Sequence, residues 1–262
     1  MPLYNKLKRP QSRHKKTVPP YSRLADYYDE VMSHVNYKNW ADYLIDAASR
    51  NIREFETVTD LACGTGRLAY YLAESGYNVT GVDSVESMVD QAINRQYTGN
   101  RKPEYFTGDL RHPAPVKNQD LVVCIYDSIN YLINEIDVGK FLSSVLQIIS
   151  KKGLLIFDCS TEQNSLSHFN GYEAVDSIED ALLFRRAYYD RKSRIQNNLF
   201  EIYPEEDNNM YFEHHIQRIW SIQKIKELIK NNGFQLMAVY GGFTFHRGSE
   251  SDDRVQFIAK PL

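Results

Sequence analysis

The chain has 262 residues, 42% of them hydrophobic and 25% charged, with a formal net charge of −3. That length fits one large domain, or one domain carrying a sizeable insertion, and the composition excludes a fibrous or wholly disordered chain. The charge is uneven: residues 1–20 hold six Lys and Arg and no acid, which leaves −9 on the rest, and an acidic body argues against the broad basic surfaces that nucleic-acid phosphates need.

Residues 1–20 include Pro10, Pro19 and Pro20 and show no apolar periodicity, which predicts a flexible basic tail, either solvated or touching RNA or a membrane. Helical spacing follows at 21–33 through Leu24, Tyr28 and Met32, and at 37–51 through Trp40, Tyr43, Leu44 and Ala47. Strands are then predicted at 57–63, 78–83, 104–108, 120–126 and 153–158, separated by helices at 67–75, 85–95 and 138–150. That alternation means an α/β fold, a parallel sheet with helices on both faces. Beyond residue 180 the pattern changes to alternating polar and apolar residues at 181–189, 194–203 and 209–220, with turns at 190–193 and 205–208, which reads as inserted antiparallel strands. A helix at 222–231 ends before Gly233, and strands at 235–240 and 255–260 close the chain. The implied organisation is a tail (1–20), N-terminal helices (21–52), an α/β domain (53–175 and 221–262) and an antiparallel insert (176–220).

Cys63, Cys124 and Cys159 lie in apolar runs without C-x-x-C spacing, as buried thiols of a reducing compartment do. No segment resembles a signal peptide or approaches the roughly 18 apolar residues of a membrane span, so a cytoplasmic protein without a membrane partner is expected. Nineteen tyrosines are many for this length. They hint at a semi-polar pocket, although compositional drift gives the same count.

The most informative stretch is Asp60-Leu61-Ala62-Cys63-Gly64-Thr65-Gly66 between a strand and a helix, with Asp83 ending the next strand. Glycines without Cβ admit positive φ and close approach of a nucleotide, and Ala69 completes G-x-G-x-x-A, a weak signal alone but stronger in this context. A carboxylate at Asp83 can accept from two ribose hydroxyls. A dinucleotide would lay an anionic pyrophosphate on this turn, yet Asp60, Asp83 and Asp109 end three successive strands. Each alone could be a cap or turn residue; together they suit a cationic cofactor, S-adenosylmethionine, whose ammonium gains charge-assisted hydrogen bonds from carboxylates.

At these residues the chain resembles the class I S-adenosylmethionine-dependent methyltransferases, over about residues 21–262. The resemblance implies a Rossmann-like seven-stranded sheet in the order 3-2-1-4-5-7-6, with S-adenosyl-L-homocysteine as product. It implies that Asp60 orients the cofactor's ammonium while Ala62, Gly64 and Gly66 line its path. Asp83 and Ser84 would meet the ribose, Met88 would cover the adenine, and Asp109 with Leu110 would meet the adenine amino group. Tyr126 and the loop to Tyr131 would lie beside the reacting methyl. More finely, Ala25-Asp26-Tyr27-Tyr28-Asp29 and Tyr37-Lys38-Asn39-Trp40 resemble lid helices of small-molecule methyltransferases, with Tyr28 and Trp40 closing over the methionine end. The insert, with Glu213-His214-His215-Ile216-Gln217-Arg218, is similar to the platform that dimerises or roofs the pocket in bacterial amino-sugar N-methyltransferases.

The activated donor asks the protein mainly for alignment, and a neutral amine needs no strong base whereas a hydroxyl does. Acceptor-side candidates are Asn130 and Tyr131 after the fourth strand, and His215 or Arg218 in the insert. Asn130 also reads as a turn residue. His214 and His215 must point to opposite faces of a strand, and His215 shares its face with Glu213 and Gln217. No metal-ligand spacing is present and no metal is expected. The expectation is an enzyme methylating a small molecule at an amine, with a homodimer through the insert as the assembly this resemblance allows. Two alternatives stay open: an RNA or tRNA methyltransferase that uses the basic tail, and a cofactor-binding regulatory protein without turnover.

Overall fold

The computed structural model describes residues 9–10, 13–52, 54–178, 180–206 and 208–262. A strand β1 (His14–Val18) leads through a 3-10 turn (Leu24–Tyr27) into a short α1 (Tyr28–Val31) and then α2 (Tyr37–Ser49). The alternating part follows as β2 (Thr57–Leu61), α3 (Arg67–Glu74), β3 (Asn78–Asp83), α4 (Glu86–Asn94), β4 (Glu104–Thr107), β5 (Gln119–Cys124), α5 (Glu135–Ile148) and β6 (Ile149–Ser160). A single turn α6 (Glu162–Asn164) precedes the insert, β7 (Tyr172–Ile178), β8 (Ala181–Asp190), β9 (Ile195–Pro204) and β10 (Asn209–Arg218). The chain then returns through α7 (Ile222–Asn231), β11 (Phe234–Gly241) and β12 (Arg254–Pro261).

The apolar runs of β2, β5 and β6 are buried on both sides, as strands covered by helices on two faces must be. The large sheet runs β11-β12-β6-β5-β2-β3-β4, which is the expected 3-2-1-4-5-7-6 order. Six strands run in one direction, and β12 inserts antiparallel between β6 and β11. On one face α5 and α7 pack Phe141, Leu142, Ile225 and Ile229 against Phe157 and Phe257. On the other, α2 and α3 press Trp40, Leu44, Leu68 and Leu72 onto Val58, Val123 and Ile156. Asn134 and Ser221 accept backbone N–H bonds at the starts of α5 and α7, satisfying donors those helices cannot pair internally.

The second sheet runs β1-β10-β9-β8-β7. Here the structure differs from the sequence reading in three places. The basic tail is not featureless over its described part: His14–Val18 pair parallel with Asn209–Glu213. The four residues His14–Thr17 are exposed, so the strand is held by backbone bonds to β10 rather than by any apolar pattern. Residues 1–8, 11 and 12 of the expected tail lie outside the described residues. The helix expected at 21–33 is confined to 24–31, because Tyr21 takes a left-handed φ of 64° that no helix continues. The insert begins at Tyr172 instead of 176, since β7 pairs with β8 along Tyr172–Ile178.

Phe157 sits between the rings of Phe141 at 5.9 Å and Phe257 at 5.2 Å and is fully buried. Phe157→Ala is expected to lower unfolding stability by roughly 3–5 kcal/mol, read from the shift of the urea midpoint at constant slope.

Candidate functional site

The carboxyl ends of β2 and β3 open into a cavity of about 400 Å³, within the size range of small-molecule sites. At the end of β2 the backbone turns left-handed at Ala62 (φ 59°), Gly64 (54°) and Gly66 (75°), and α3 starts directly after. A Cβ on Gly66 would fall 2.5 Å from the Tyr105 hydroxyl oxygen, so this glycine is required by packing behind the turn and does not itself line the cavity. Gly64 does line it, and its N–H donates to Asp83 at 2.9 Å. The other Asp83 oxygen accepts from Val85 N–H, also at 2.9 Å. Burial raises the Asp83 carboxyl above its ordinary value, against the pull of these bonds.

Asp60 sits deeper, at 1% exposure, and borders the same cavity. Neither of its carboxylate oxygens finds a hydrogen-bond partner among the described residues. Its acidity is weakened well beyond the ordinary range, first by burial and then by the nearby Asp83. Two buried acids in one cavity, one of them unpartnered, form a strongly electronegative cradle that a cation would relieve.

The wall across from the acids is aromatic. Tyr21, Tyr28, Tyr37, Tyr126 and Tyr131 all line the cavity, so the tyrosine excess does supply a semi-polar pocket. Burial raises the phenols of Tyr21 and Tyr28 well above the usual value and pushes Tyr126 up to about 12, so these groups are neutral hydrogen-bonding hydroxyls. The N-terminal segment that carries Tyr21 and Tyr28 is tied to the glycine turn: Asp29 accepts from the Thr65 hydroxyl at 2.6 Å and pairs with Arg95. Tyr126 and Asp127 end β5 in left-handed conformations, φ 62° and 53°. They are held there by Arg254, which pairs with Asp127 at 2.6 Å and also with Asp158. Asp158 is fully buried, and that burial raises its carboxyl to about 6 despite the guanidinium beside it.

Of the residues singled out from the sequence, Tyr28, Asp60, Ala62, Gly64 and Asp83 meet at the cavity, joined by Ser84, Met88, Leu110, Tyr126 and Tyr131. Six do not line it. Trp40 is buried behind Tyr126 and against Phe243, so it supports the wall instead of closing over a ligand. Asp109 is turned to Arg111, which donates to both of its oxygens and holds its carboxyl below the ordinary value. Gly108 and Leu110 present the neighbouring surface in its place. Asn130 is fully buried, donating to the Arg218 carbonyl and accepting from Ser160 N–H, a clamp between β6 and β10 without access to a ligand. Arg218 lies over the Trp220 ring. Gly66 serves packing as described above. His215 is buried one bond behind the wall, its Nδ1 2.9 Å from the Tyr131 hydroxyl, while His214 faces away toward Asn197.

Tyr21 and Pro20 were not anticipated at the cavity, because they fell in or beside the expected tail and only the pairing of β1 brings them there. A larger hollow of about 470 Å³ beside Arg111, Lys140 and Asn232 contains none of these groups. Among the described residues no cluster of His, Cys, Asp and Glu is arranged to hold a metal, and no helix is long and apolar enough to cross a membrane.

Comparison with known proteins agrees with this geometry. Residues 58–153 match a family described as a methyltransferase domain. The chain is 32% identical over 244 residues to "Putative methyltransferase YqeM" of Bacillus subtilis (strain 168), covering 92% of this chain and 96% of that one. In fold it is similar to an S-adenosylmethionine-dependent methyltransferase from Clostridium acetobutylicum ATCC 824, with TM-score 0.77 and 22% identity over 92% of this chain and 98% of the other. It is also similar to the sugar N-methyltransferase KedS8 from Streptoalloteichus sp ATCC 53650, with TM-score 0.74 and 13% identity, covering 97% and 98%.

The unpartnered acid has a measurable consequence. Because its carboxyl is raised in the folded chain, the native state binds more protons than the unfolded chain between the ordinary value of 3.8 and that raised value. Stability of the ligand-free protein therefore falls as pH rises through that window. Asp60→Asn should remove this dependence and stabilise the ligand-free protein by roughly 1 kcal/mol or more, with a larger gain at about pH 8 than at about pH 5 in urea titrations.

Proposed function

Because the chain belongs to the class I S-adenosylmethionine-dependent methyltransferases, we propose that it methylates a small-molecule acceptor at an amine. S-adenosylmethionine is its cofactor. The observation that carries the assignment of the site is Asp60: a buried carboxylate without a partner among the described residues, bordering the cavity beneath a left-handed glycine turn. A cationic cofactor fits that cradle, and an anionic pyrophosphate does not.

When bound, the cofactor supplies a methyl group on a positively charged sulfur, already activated toward a nucleophile. The chain's residues bind and orient. We assign Asp60 to the cofactor's ammonium, Ala62 and Gly64 to its path along the turn, and Asp83 with Ser84 to the ribose hydroxyls. Each Asp83 oxygen already accepts one backbone N–H and keeps a lone pair for a ligand. Met88 and Leu110 are assigned to the adenine, and Tyr28 and Tyr126 to the methionine end. The tyrosine wall bounds the cavity, and alignment is what an amine acceptor mainly requires.

Three observations support a small acceptor. The cavity is about 400 Å³, the N-terminal segment lines it through Pro20, Tyr21 and Tyr28 and is held by Glu213 of the insert, and the similar KedS8 is a sugar N-methyltransferase. We read the insert as a roof within one chain and not as a dimer face, since Glu213 of β10 binds the N-terminal segment directly. The RNA alternative draws less support from the basic tail, because its described part is paired to the sheet edge and its cations contact side chains of the same chain. Arg9 pairs with Glu201, Lys15 covers Phe212 and Lys16 covers Tyr211.

Isothermal titration with S-adenosylhomocysteine is expected to show binding in the micromolar range or tighter, with NADH giving no heat. Asp83→Ala should weaken that binding by roughly 10–100-fold, the worth of one or two hydrogen bonds to a charged group. His215→Ala should leave it within about twofold. Equal loss in both variants would contradict the division between cofactor side and acceptor side. A screen of amines with labelled methyl donor then tests the acceptor class.

A further inference from the structure

Behind the tyrosine wall lies a continuous chain of hydrogen bonds that the cofactor does not need. Glu213 of β10 is fully buried, accepts three backbone N–H bonds and contacts one imidazole nitrogen. Its Oε2 takes Tyr21 N–H at 2.7 Å and faces His215 Nε2 at 2.9 Å, while its Oε1 takes the N–H groups of Arg23 and Leu24 at 2.8 and 2.9 Å. His215 Nδ1 then meets the Tyr131 hydroxyl at 2.9 Å, and the Tyr131 hydroxyl meets that of Tyr21 at 2.6 Å. Tyr131 and Tyr21 both line the cavity. The Tyr21 and Phe200 rings flank the buried imidazole, 4.5 and 4.8 Å away between centroids.

The polarity of this chain follows from its buried end. Three of the donors to Glu213 are backbone N–H groups, which can only donate, so the carboxylate serves as acceptor throughout. His215 therefore carries a proton on Nε2, and in the neutral imidazole on which the relay is built Nδ1 is left as an acceptor, the arrangement in which a carboxylate fixes an imidazole tautomer. Tyr131 must then donate to Nδ1, and its oxygen must accept from Tyr21. The Tyr21 hydroxyl has spent its proton inward and turns a lone pair to the cavity. Its left-handed backbone, φ 64°, is maintained by the bond from its own N–H to Glu213, so the same carboxylate sets both ends of the chain.

We propose that Tyr21, Tyr131, His215 and Glu213 form a proton relay, and that the acceptor presents an N–H or O–H group to the Tyr21 oxygen. This rests on the methyltransferase reading above and deepens it. One proton must leave for each methyl group received. The nucleophile's electron pair becomes the new bond to carbon, the pair of the broken carbon–sulfur bond stays on the donor's sulfur, and the N–H or O–H proton departs. That proton passes to Tyr21 as Tyr21 passes its own to Tyr131 and Tyr131 passes its own to His215 Nδ1. The resulting imidazolium is neutralised by Glu213. The site thus selects protic nucleophiles, amines and hydroxyls, and rejects acceptors without a proton to give, such as tertiary amines. Tyr21 is the residue that touches the acceptor; Tyr131, His215 and Glu213 act through it.

Two measurements test this, and they fail separately. Nitrogen-15 NMR of the labelled full-length protein should find His215 protonated at Nε2 with Nδ1 accepting, and Tyr131→Phe should shift the Nδ1 resonance while leaving Nε2 in place. An Nδ1-protonated imidazole would reverse the polarity and overturn the relay, whatever the enzyme's substrate. The second measurement uses labelled methyl donor with a panel of primary and secondary amines, their tertiary counterparts and alcohols. Wild type should methylate only protic members. Tyr131→Phe and His215→Asn should lower kcat about 100-fold, the scale of general-base assistance, with KM and S-adenosylhomocysteine affinity within about twofold. A kcat kept within about threefold in both variants would overturn the relay. If wild type methylates nothing in the panel, the small-molecule reading fails, and the NMR result still decides the relay.

Discussion

A single buried carboxylate joins the parts of this protein that function requires together. Glu213 lies in β10 of the insert, yet the N–H groups it accepts belong to Tyr21, Arg23 and Leu24, about 190 residues earlier in the chain. A buried charge without partners would cost several kcal/mol. Three backbone N–H bonds and one imidazole contact make this one tolerable and convert its cost into a constraint on geometry. The constraint runs in both directions. It caps the start of the N-terminal helical turn, and it holds the insert down over the carboxyl ends of the parallel strands. Parallel pairing of β1 with β10 ends at Val18 opposite Glu213, so the chain reaches Tyr21 already aligned with its acceptor.

The opposite side of the cavity works by leaving a cost in place. Asp60 is as deeply buried as Glu213 but has no protein donor among the described residues, and Asp83 nearby adds to its unfavourable charge. The same type of group is thus used in two ways within one site. A satisfied carboxylate joins the insert to the N-terminal segment, and one without a donor among the described residues borders the cavity. Such strain is affordable because the surrounding core is well packed, with Leu68, Leu72, Val58 and Leu121 fully or almost fully buried around the turn.

Much of the fold was legible because the relevant signals are local. The β2–α3–β3 segment announces itself through an apolar run, a glycine turn and an acid at the next strand end, all within about 25 residues and all dictated by backbone sterics and strand burial. The parallel sheet followed from the alternation of elements, and the order of its seven strands from the family resemblance alone. What was illegible involved backbone pairing or distant partners. β1 has exposed polar side chains and exists because β10 offers it a free edge, so no side-chain pattern marks it. Trp40 and Asn130 carried the right chemistry for a site, but Phe243, Arg218 and Ser160 occupy them from elsewhere in the chain. Asp109 is a different case: its partner Arg111 is two residues away, and that charge pair could have been weighed against a ligand role.

The sequence by itself thus determined the acid-rimmed glycine turn at the ends of parallel strands, because neighbouring residues form it through local backbone sterics. The tertiary structure decided the wall that we propose meets the acceptor. Tyr21, Tyr131, His215 and Glu213 come from three separate regions, and their hydrogen bonds span 84 to 192 positions, apart from the one between Glu213 and His215. Only when β10 crosses above the fourth parallel strand's loop and captures the N-terminal segment do these side chains share one wall. Local sterics write the first kind of site into a sequence; long-range pairing creates the second.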